Sequence, residues 1–144
     1  MPQSPIRTLV IDDDKSITRL ICKILSDCFA ERLDITETDD VQMALGMVTA
    51  NQFDLCITDL DMPSVNGFKL LKAIKEADTL TQVIILTGYP DENAIRSAFI
   101  LGADDYLLKP ISSEELCNSV QFMLNRICRL RSEMDARVVK SGMN

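Results

Sequence analysis

Apolar residues in this chain fall into short runs that alternate with longer stretches of helical spacing. Thr8-Leu9-Val10-Ile11 is an apolar run that stops at three acids, Asp12, Asp13 and Asp14. Behind it Ile17, Leu20, Ile21, Ile24, Leu25 and Cys28 recur at three- and four-residue spacings, which predicts an amphipathic helix. Leu33-Asp34-Ile35-Thr36 alternates apolar and polar, as an edge strand with one solvated face does. Asp39 or Asp40 can cap a second helix carrying Val41, Ala44, Leu45 and Val48.

The same grammar then repeats. Leu55-Cys56-Ile57-Thr58 reads as a fully buried strand ending at Asp59. Turn residues between Asp61 and Gly67 separate it from a third helix marked by Phe68, Leu70, Leu71 and Ile74. Val83-Ile84-Ile85-Leu86 is the most apolar strand and stops at Thr87-Gly88. Asp91 can cap a fourth helix through Ile95, Ala98 and Phe99, with Gly102 placed for a left-handed turn after it. Tyr106-Leu107-Leu108 forms a fifth strand ending at Lys109-Pro110, and Ser112 with Glu115 makes a capping box for the last helix.

Five strands separated by helices imply right-handed βαβ units and a five-stranded parallel sheet with helices on both faces. In such α/β sheets ligands bind outside the carboxyl ends of the strands. Leu116, Val120, Leu124 and Ile127 are spaced to pack the last helix on the sheet. Leu130, Met134 and Val138 continue that stripe, interrupted by Arg137, past any expected strand. The reading is therefore a domain over residues 6–125 and a helical extension over 126–144. That extension is a dimer seam, a linker to a further domain, or a solvated tail.

Composition narrows the chemistry. The chain has 144 residues, the size of one ordinary domain, with 47% apolar and 26% charged residues. No run approaches the length of a membrane span, and the start, Met1-Pro2-Gln3-Ser4-Pro5, lacks a signal-peptide layout. A cytoplasmic protein without a membrane partner is the expectation. Net charge is −7, with 10 basic and 20 acidic residues in 1–125 against 5 and 2 in 126–144, which argues against nucleic acid binding through this region. There is no histidine, so imidazole bases and histidine metal ligands are excluded. The five cysteines, Cys22, Cys28, Cys56, Cys117 and Cys128, form no CxxC pair and are expected to be free thiols in a reducing compartment.

The strand ends carry the chemistry. Asp12-Asp13, Asp59, Thr87 and Lys109 each follow or close a strand, so a parallel sheet opens all of them at one edge. Two like charges 4 Å apart repel by about 4 kcal/mol at an effective dielectric near 20, so three carboxylates there need compensation. Lys109 supplies part of it. A hard divalent cation, Mg²⁺, suits an all-oxygen site with few protein ligands and bridges carboxylates to phosphate. A carboxylate in such a site can act as nucleophile and form an acyl phosphate. Asp59, closing a buried central strand, is the best candidate; Asp12 and Asp13 suit metal holding, and Thr87 hydrogen-bonds phosphoryl oxygens.

Taken together, Leu9-Val10-Ile11-Asp12-Asp13-Asp14, Ile57-Thr58-Asp59-Leu60-Asp61-Met62-Pro63, Ile85-Leu86-Thr87-Gly88 and Gly102-Ala103-Asp104-Asp105-Tyr106-Leu107-Leu108-Lys109-Pro110 resemble the receiver domain of two-component response regulators. The resemblance spans about residues 6–125 and implies the flavodoxin-like strand order 2-1-3-4-5, of which a chemotaxis member of the family is a known example. It implies that Asp59 accepts a phosphoryl group from the phosphohistidine of a sensor histidine kinase or phosphotransfer protein. Asp13, Asp59 and the backbone carbonyl of Asp61 would hold Mg²⁺, with Asp12 acting through water. The backbone N–H groups of Asp61 and Gly88 would join Lys109 and Thr87 around the phosphoryl group. Tyr106 matches the family's switch aromatic, Lys109-Pro110 is expected to be cis, and output would pass through the fourth helix, fifth strand and fifth helix. The signal would go to an output domain or a downstream protein, with a homodimer as a further partner. The chain would catalyse only its own phosphotransfer and slow dephosphorylation.

Several positions admit another reading. The three consecutive acids allow a slip to Asp13-Asp14 as the metal pair, although the apolar run ending at Ile11 favours Asp12-Asp13; Asp14 by itself suits a helix cap. Gly88 stands where alanine is more usual, and Asp61 and Tyr89 flank the site at positions that tune phosphoryl lifetime in the family. Asp104-Asp105 reads as a solvated turn, and Tyr106 could be an ordinary edge-strand aromatic. Asp59-Leu60-Asp61 also resembles the nucleophile motif of haloacid-dehalogenase-type phosphatases, whose motif lies nearer the N-terminus and which carry a cap insertion. A flavin carrier would need a phosphate loop after the first strand, and none is present. A degenerate, non-phosphorylated receiver is the other alternative.

Overall fold

The computed structural model describes residues 4–62, 65–88 and 91–142. Its main elements are β1 (Ile6–Ile11), α1 (Lys15–Phe29), β2 (Leu33–Thr38), α2 (Val41–Ala50), β3 (Leu55–Thr58), α3 (Gly67–Ala77), β4 (Gln82–Thr87), α4 (Glu92–Ile100), β5 (Asp105–Leu108) and α5 (Ser113–Gly142). The five strands form one parallel sheet in the order β2-β1-β3-β4-β5, the order the motif resemblance implied. Registers Ile11 to Thr38, Ile11 to Thr58, Thr58 to Ile85 and Thr87 to Leu108 bring the carboxyl ends level along one edge.

Alternation along each strand divides the core between two helix layers. Val10, Ile57, Ile84 and Leu86 pack under α1 and α5, against Ile21, Leu25, Leu116, Val120 and Leu124. Leu9, Ile11, Cys56, Val83 and Ile85 pack on the other side with α2, α3 and α4, against Ala44, Leu70, Ile74 and Ala98. Both faces of β1, β3 and β4 are covered, which is why these strands are continuous apolar runs. The alternating β2 lies at an edge, as its pattern predicts.

Asp14, Asp40 and Asp91 cap α1, α2 and α4 through their carboxylates, and Ser112 Oγ accepts from the Glu115 N–H at the start of α5. Gly102 follows α4 at φ +107°, the left-handed region expected there. In place of a plain loop after Asp59, Asp61–Met62 pairs antiparallel with Val65–Asn66. A Cβ on Gly67 would run into the backbone of Leu60, so this return to α3 needs glycine.

Three expectations change. The α1 stripe is narrower than its spacing suggested: Leu20 and Cys28 are exposed, while Thr18 and Phe29 are buried. Asp104-Asp105 is no solvated turn. Asp104 Oδ2 accepts from the Val83 N–H at 2.8 Å and from Lys75 Nζ at 3.0 Å, and Asp105 Oδ2 accepts from Ser119 Oγ at 2.5 Å. The start of β5 is enclosed by α3 and α5, whose partner groups lie far away in sequence. The third change concerns cysteines: Cys28 and Cys117 form a disulfide, with Cα atoms 6.6 Å apart. They are separated by 89 residues, but α1 and α5 lie side by side on one face of the sheet. Cys22 and Cys56 are free thiols, as expected.

Helix α5 runs unbroken to Gly142, roughly 45 Å at 1.5 Å per residue. Its packing stripe fades sooner than its periodicity. Ile127 is buried and Leu130 half-buried, but Met134 is 52% and Val138 69% exposed. Arg131 fixes the helix at the opposite edge of the sheet from the strand ends, donating to the Ser4 carbonyl at 2.9 Å and to the Asp54 carboxylate at 2.8 Å. No described helix is long and apolar enough to cross a membrane.

Candidate functional site

Strand β1 delivers Asp12 into the sheet edge, where it is only 1% exposed. Its Oδ1 accepts from the Asp14 N–H at 3.0 Å, and its Oδ2 accepts from Lys109 Nζ at 2.8 Å. Asp59, directly after β3, is 5% exposed. Its Oδ1 accepts from the Asp61 N–H at 2.9 Å and its Oδ2 from the same Lys109 ammonium, also at 2.8 Å. Lys109 is placed by the ladder. Its N–H donates to the Thr87 carbonyl at 2.8 Å, and the Lys109-Pro110 bond is cis, as the resemblance implied.

One ammonium thus serves two buried carboxylates. Burial pushes the Asp12 carboxyl above its ordinary value, and the Lys109 hydrogen bond only partly opposes this. Burial alone would lower the Lys109 ammonium, but hydrogen bonds to Asp12 and Asp59 outweigh it and hold the amine protonated.

The other expected groups lie around this core. Thr87 closes β4 and is buried. Gly88 is exposed, and a Cβ there would meet nothing within 4 Å. Asp13 is exposed, because adjacent residues leave the strand on opposite sides and Asp12 takes the buried one. Asp14 is occupied as the α1 cap, accepting from the Ser16 N–H and hydroxyl. The Asp61 side chain is exposed. Tyr89, Pro63 and Ser64 lie outside the described residues.

Thr87 and Tyr106 share a cleft of about 410 Å³ with Leu60, Asp61, Phe68, Asp91 and Ala94. Tyr106 is half-buried, and burial raises its phenol, followed by the charges of Asp59 and Asp91. Sequence reasoning gave Asp91 and Phe68 only capping and packing roles. The position of Asp91, four residues past Thr87 at the same sheet edge, was the available signal.

Among the described residues no three acidic or cysteine side chains come close enough to hold a metal by themselves. The donors at the sheet edge are nevertheless all oxygen, and two buried carboxylates exceed one ammonium by a negative charge. That chemistry fits a hard divalent cation held by few protein ligands.

A family model described as the response regulator receiver domain matches residues 8–121. The chain is 36% identical over 130 residues to the two-component response regulator ARR10 of Arabidopsis thaliana, covering 88% of this chain and 23% of that protein. It therefore spans about a quarter of that relative's length. The signal receiver domain of a putative Luxo repressor protein from Vibrio parahaemolyticus superposes with a TM-score of 0.80 at 28% identity, over 90% of this chain and 97% of that one. The BeF3-activated receiver domain of DrrB, a Thermotoga maritima protein, gives 0.72 at 28% identity, over 84% and 98%.

Proposed function

Since the chain belongs to the response regulator receiver family, we propose that it is a phosphorylation-dependent signalling switch with Asp59 as phosphoacceptor. The observation that carries this reading is the Lys109 ammonium 2.8 Å from both the Asp12 and Asp59 carboxylates at the strand ends. It leaves the Asp59 carboxylate buried, oriented by the Asp61 N–H and facing a cation, as an acyl-phosphate nucleophile requires.

In this mechanism an Asp59 oxygen attacks the phosphorus of a phosphohistidine on a sensor kinase or phosphotransfer protein. A P–O bond forms as the P–N bond breaks, and the imidazole leaves with the electron pair. Lys109 and the N–H groups of Asp61 and Gly88 hydrogen-bond the phosphoryl oxygens, and Thr87 adds its hydroxyl. Asp13, Asp59 and the Asp61 carbonyl would hold Mg²⁺, with Asp12 acting through water. Mg²⁺, when bound, neutralises charge on the transferring phosphoryl group. Drawing Thr87 toward the phosphoryl group opens room for Tyr106 in the shared cleft, and the change passes through α4, β5 and α5 to an output domain or a downstream protein. The chain turns over no substrate beyond its own phosphotransfer and slow dephosphorylation, and it works in the cytoplasm, where kinases form phosphohistidine.

BeF3 activates the DrrB receiver domain, and as a phosphoryl stand-in it supports the same event here. The test is incubation with phosphoramidate, a small donor with the same P–N bond, with and without EDTA. A stoichiometric adduct that is labile to base and to hydroxylamine, formed only without EDTA, is expected. Continuous phosphate release from p-nitrophenyl phosphate would point to a phosphatase, and no adduct from any donor to a degenerate receiver.

A further inference from the structure

The cysteine pair joins the two helices that follow the two halves of the site. Helix α1 starts beside Asp12-Asp13 and carries Cys28; α5 starts four residues after Lys109 and carries Cys117. The first turns of α5 are also tied to the strand of Tyr106, since Ser119 Oγ donates to Asp105. Beside the disulfide, Arg32 donates to the Gln121 side chain at 3.4 Å, between the end of α1 and the same stretch of α5.

The cores on both sheet faces are closed by apolar packing, and Cys28 itself is exposed. In reducing compartments disulfides outside a structural staple are as a rule transient or redox-sensing. We propose that Cys28 and Cys117 form a reversible thiol–disulfide site, oxidised by low-molecular-weight disulfides, that adds a covalent tie between α1 and the first turns of α5 when oxidised and leaves them held by packing alone when reduced.

Exposure sets the order of events. The Cys28 thiolate attacks a small disulfide RSSR, forming a Cys28–S–SR mixed disulfide and releasing RS⁻, which takes up the Cys28 proton. The Cys117 thiolate then attacks the Cys28 sulfur, closing the protein disulfide and releasing a second RS⁻ that takes up the Cys117 proton. The sum is two protein thiols and RSSR giving one protein disulfide and two RSH, and excess RSH reverses it. Cys56 is fully buried and Cys22 has its thiol pushed up to about 12, so neither competes as attacker.

The site stands independently of whether Asp59 is phosphorylated, and its test uses no phosphoryl donor. The full chain is equilibrated in buffers of reduced and oxidised glutathione at graded ratios, then denatured and alkylated, with intact mass counting free thiols. Alkylation should fall from five sites to three as the buffer becomes oxidising, with Cys28 and Cys117 in one linked peptide, and should recover on return to reduced glutathione. Cys28→Ser and Cys117→Ser should each stop this loss of two sites. Amide exchange over residues 113–125 should slow about fivefold or more on oxidation in the wild type and not in either variant. Five free thiols at every ratio would overturn the proposal, as would pairing of other cysteines. A bond that glutathione cannot reduce in the folded protein, or equal exchange in both states, would reduce it to a passive staple and equally overturn it.

Discussion

Lys109 sits 2.8 Å from the Asp12 carboxylate and 2.8 Å from that of Asp59, so one positive charge answers for two buried negative ones. The surplus is a standing cost to the folded chain in the absence of further cations. Asp12→Asn is expected to stabilise the fold in Mg²⁺-free buffer by on the order of 1 kcal/mol in denaturant unfolding; a loss of that size would mean that the ion pair outweighs the burial. A second expectation concerns Cys22, half-buried beside Glu37, whose thiol is pushed from 9.0 to about 12 by burial and then by the Glu37 charge. The thiolate is the reactive form, and at pH 8 such a group is about a thousandfold less ionised than an ordinary thiol. Iodoacetamide should therefore label Cys22 far more slowly in the folded protein than in urea, with a rate still climbing between pH 8 and pH 10. A plateau by pH 9 would contradict it. At this scale the sequence was informative about identity and silent about side. Adjacency placed Asp12 and Asp13 together at the strand end, and only the folded backbone sends Asp12 inward and Asp13 to solvent.

Elements read most clearly where periodicity and turn chemistry coincide. The interior strands were legible because parallel strands buried on both faces must be apolar throughout, and β2 because an edge strand need not be. The capping acids Asp14, Asp40 and Asp91 stood immediately before helical stripes. What stayed hidden was pairing between distant positions. Asp104 looks like turn material until Lys75, Val83 and α5 are folded around it, and Cys28 with Cys117 looks unpaired until α1 and α5 lie side by side. Glycines divide by the same logic. Gly67→Ala forces a Cβ into the Leu60 backbone just after β3, whereas Gly88→Ala meets open space. Gly67→Ala should cost about 1–3 kcal/mol in denaturant unfolding, and Gly88→Ala should leave the midpoint within about 0.5 kcal/mol. Equal costs would show that the tight return to α3 does not need glycine.

The whole molecule is a sheet with chemistry at one edge and a helix leaving from the other. Lys109 and Asp59 mark the first edge; Arg131, bound to the Ser4 carbonyl and Asp54, marks the second. Helix α5 connects them, starting near the site and passing the Arg131 anchor before it loses contact with the domain. Hydrogen exchange should follow that anchor: amides through residue 130 protected with the core, amides beyond about residue 135 exchanging orders of magnitude faster. Uniform protection to Gly142 would mean that the extension is covered, as in a dimer.

The central claim, that Asp59 is the phosphoacceptor, is tested most directly by intact mass after incubation with Mg²⁺ and acetyl phosphate, beside an Asp59→Asn variant. One added phosphoryl group on the wild type and none on the variant is the expected result. An unmodified wild type, or an equal adduct on both proteins, would contradict it.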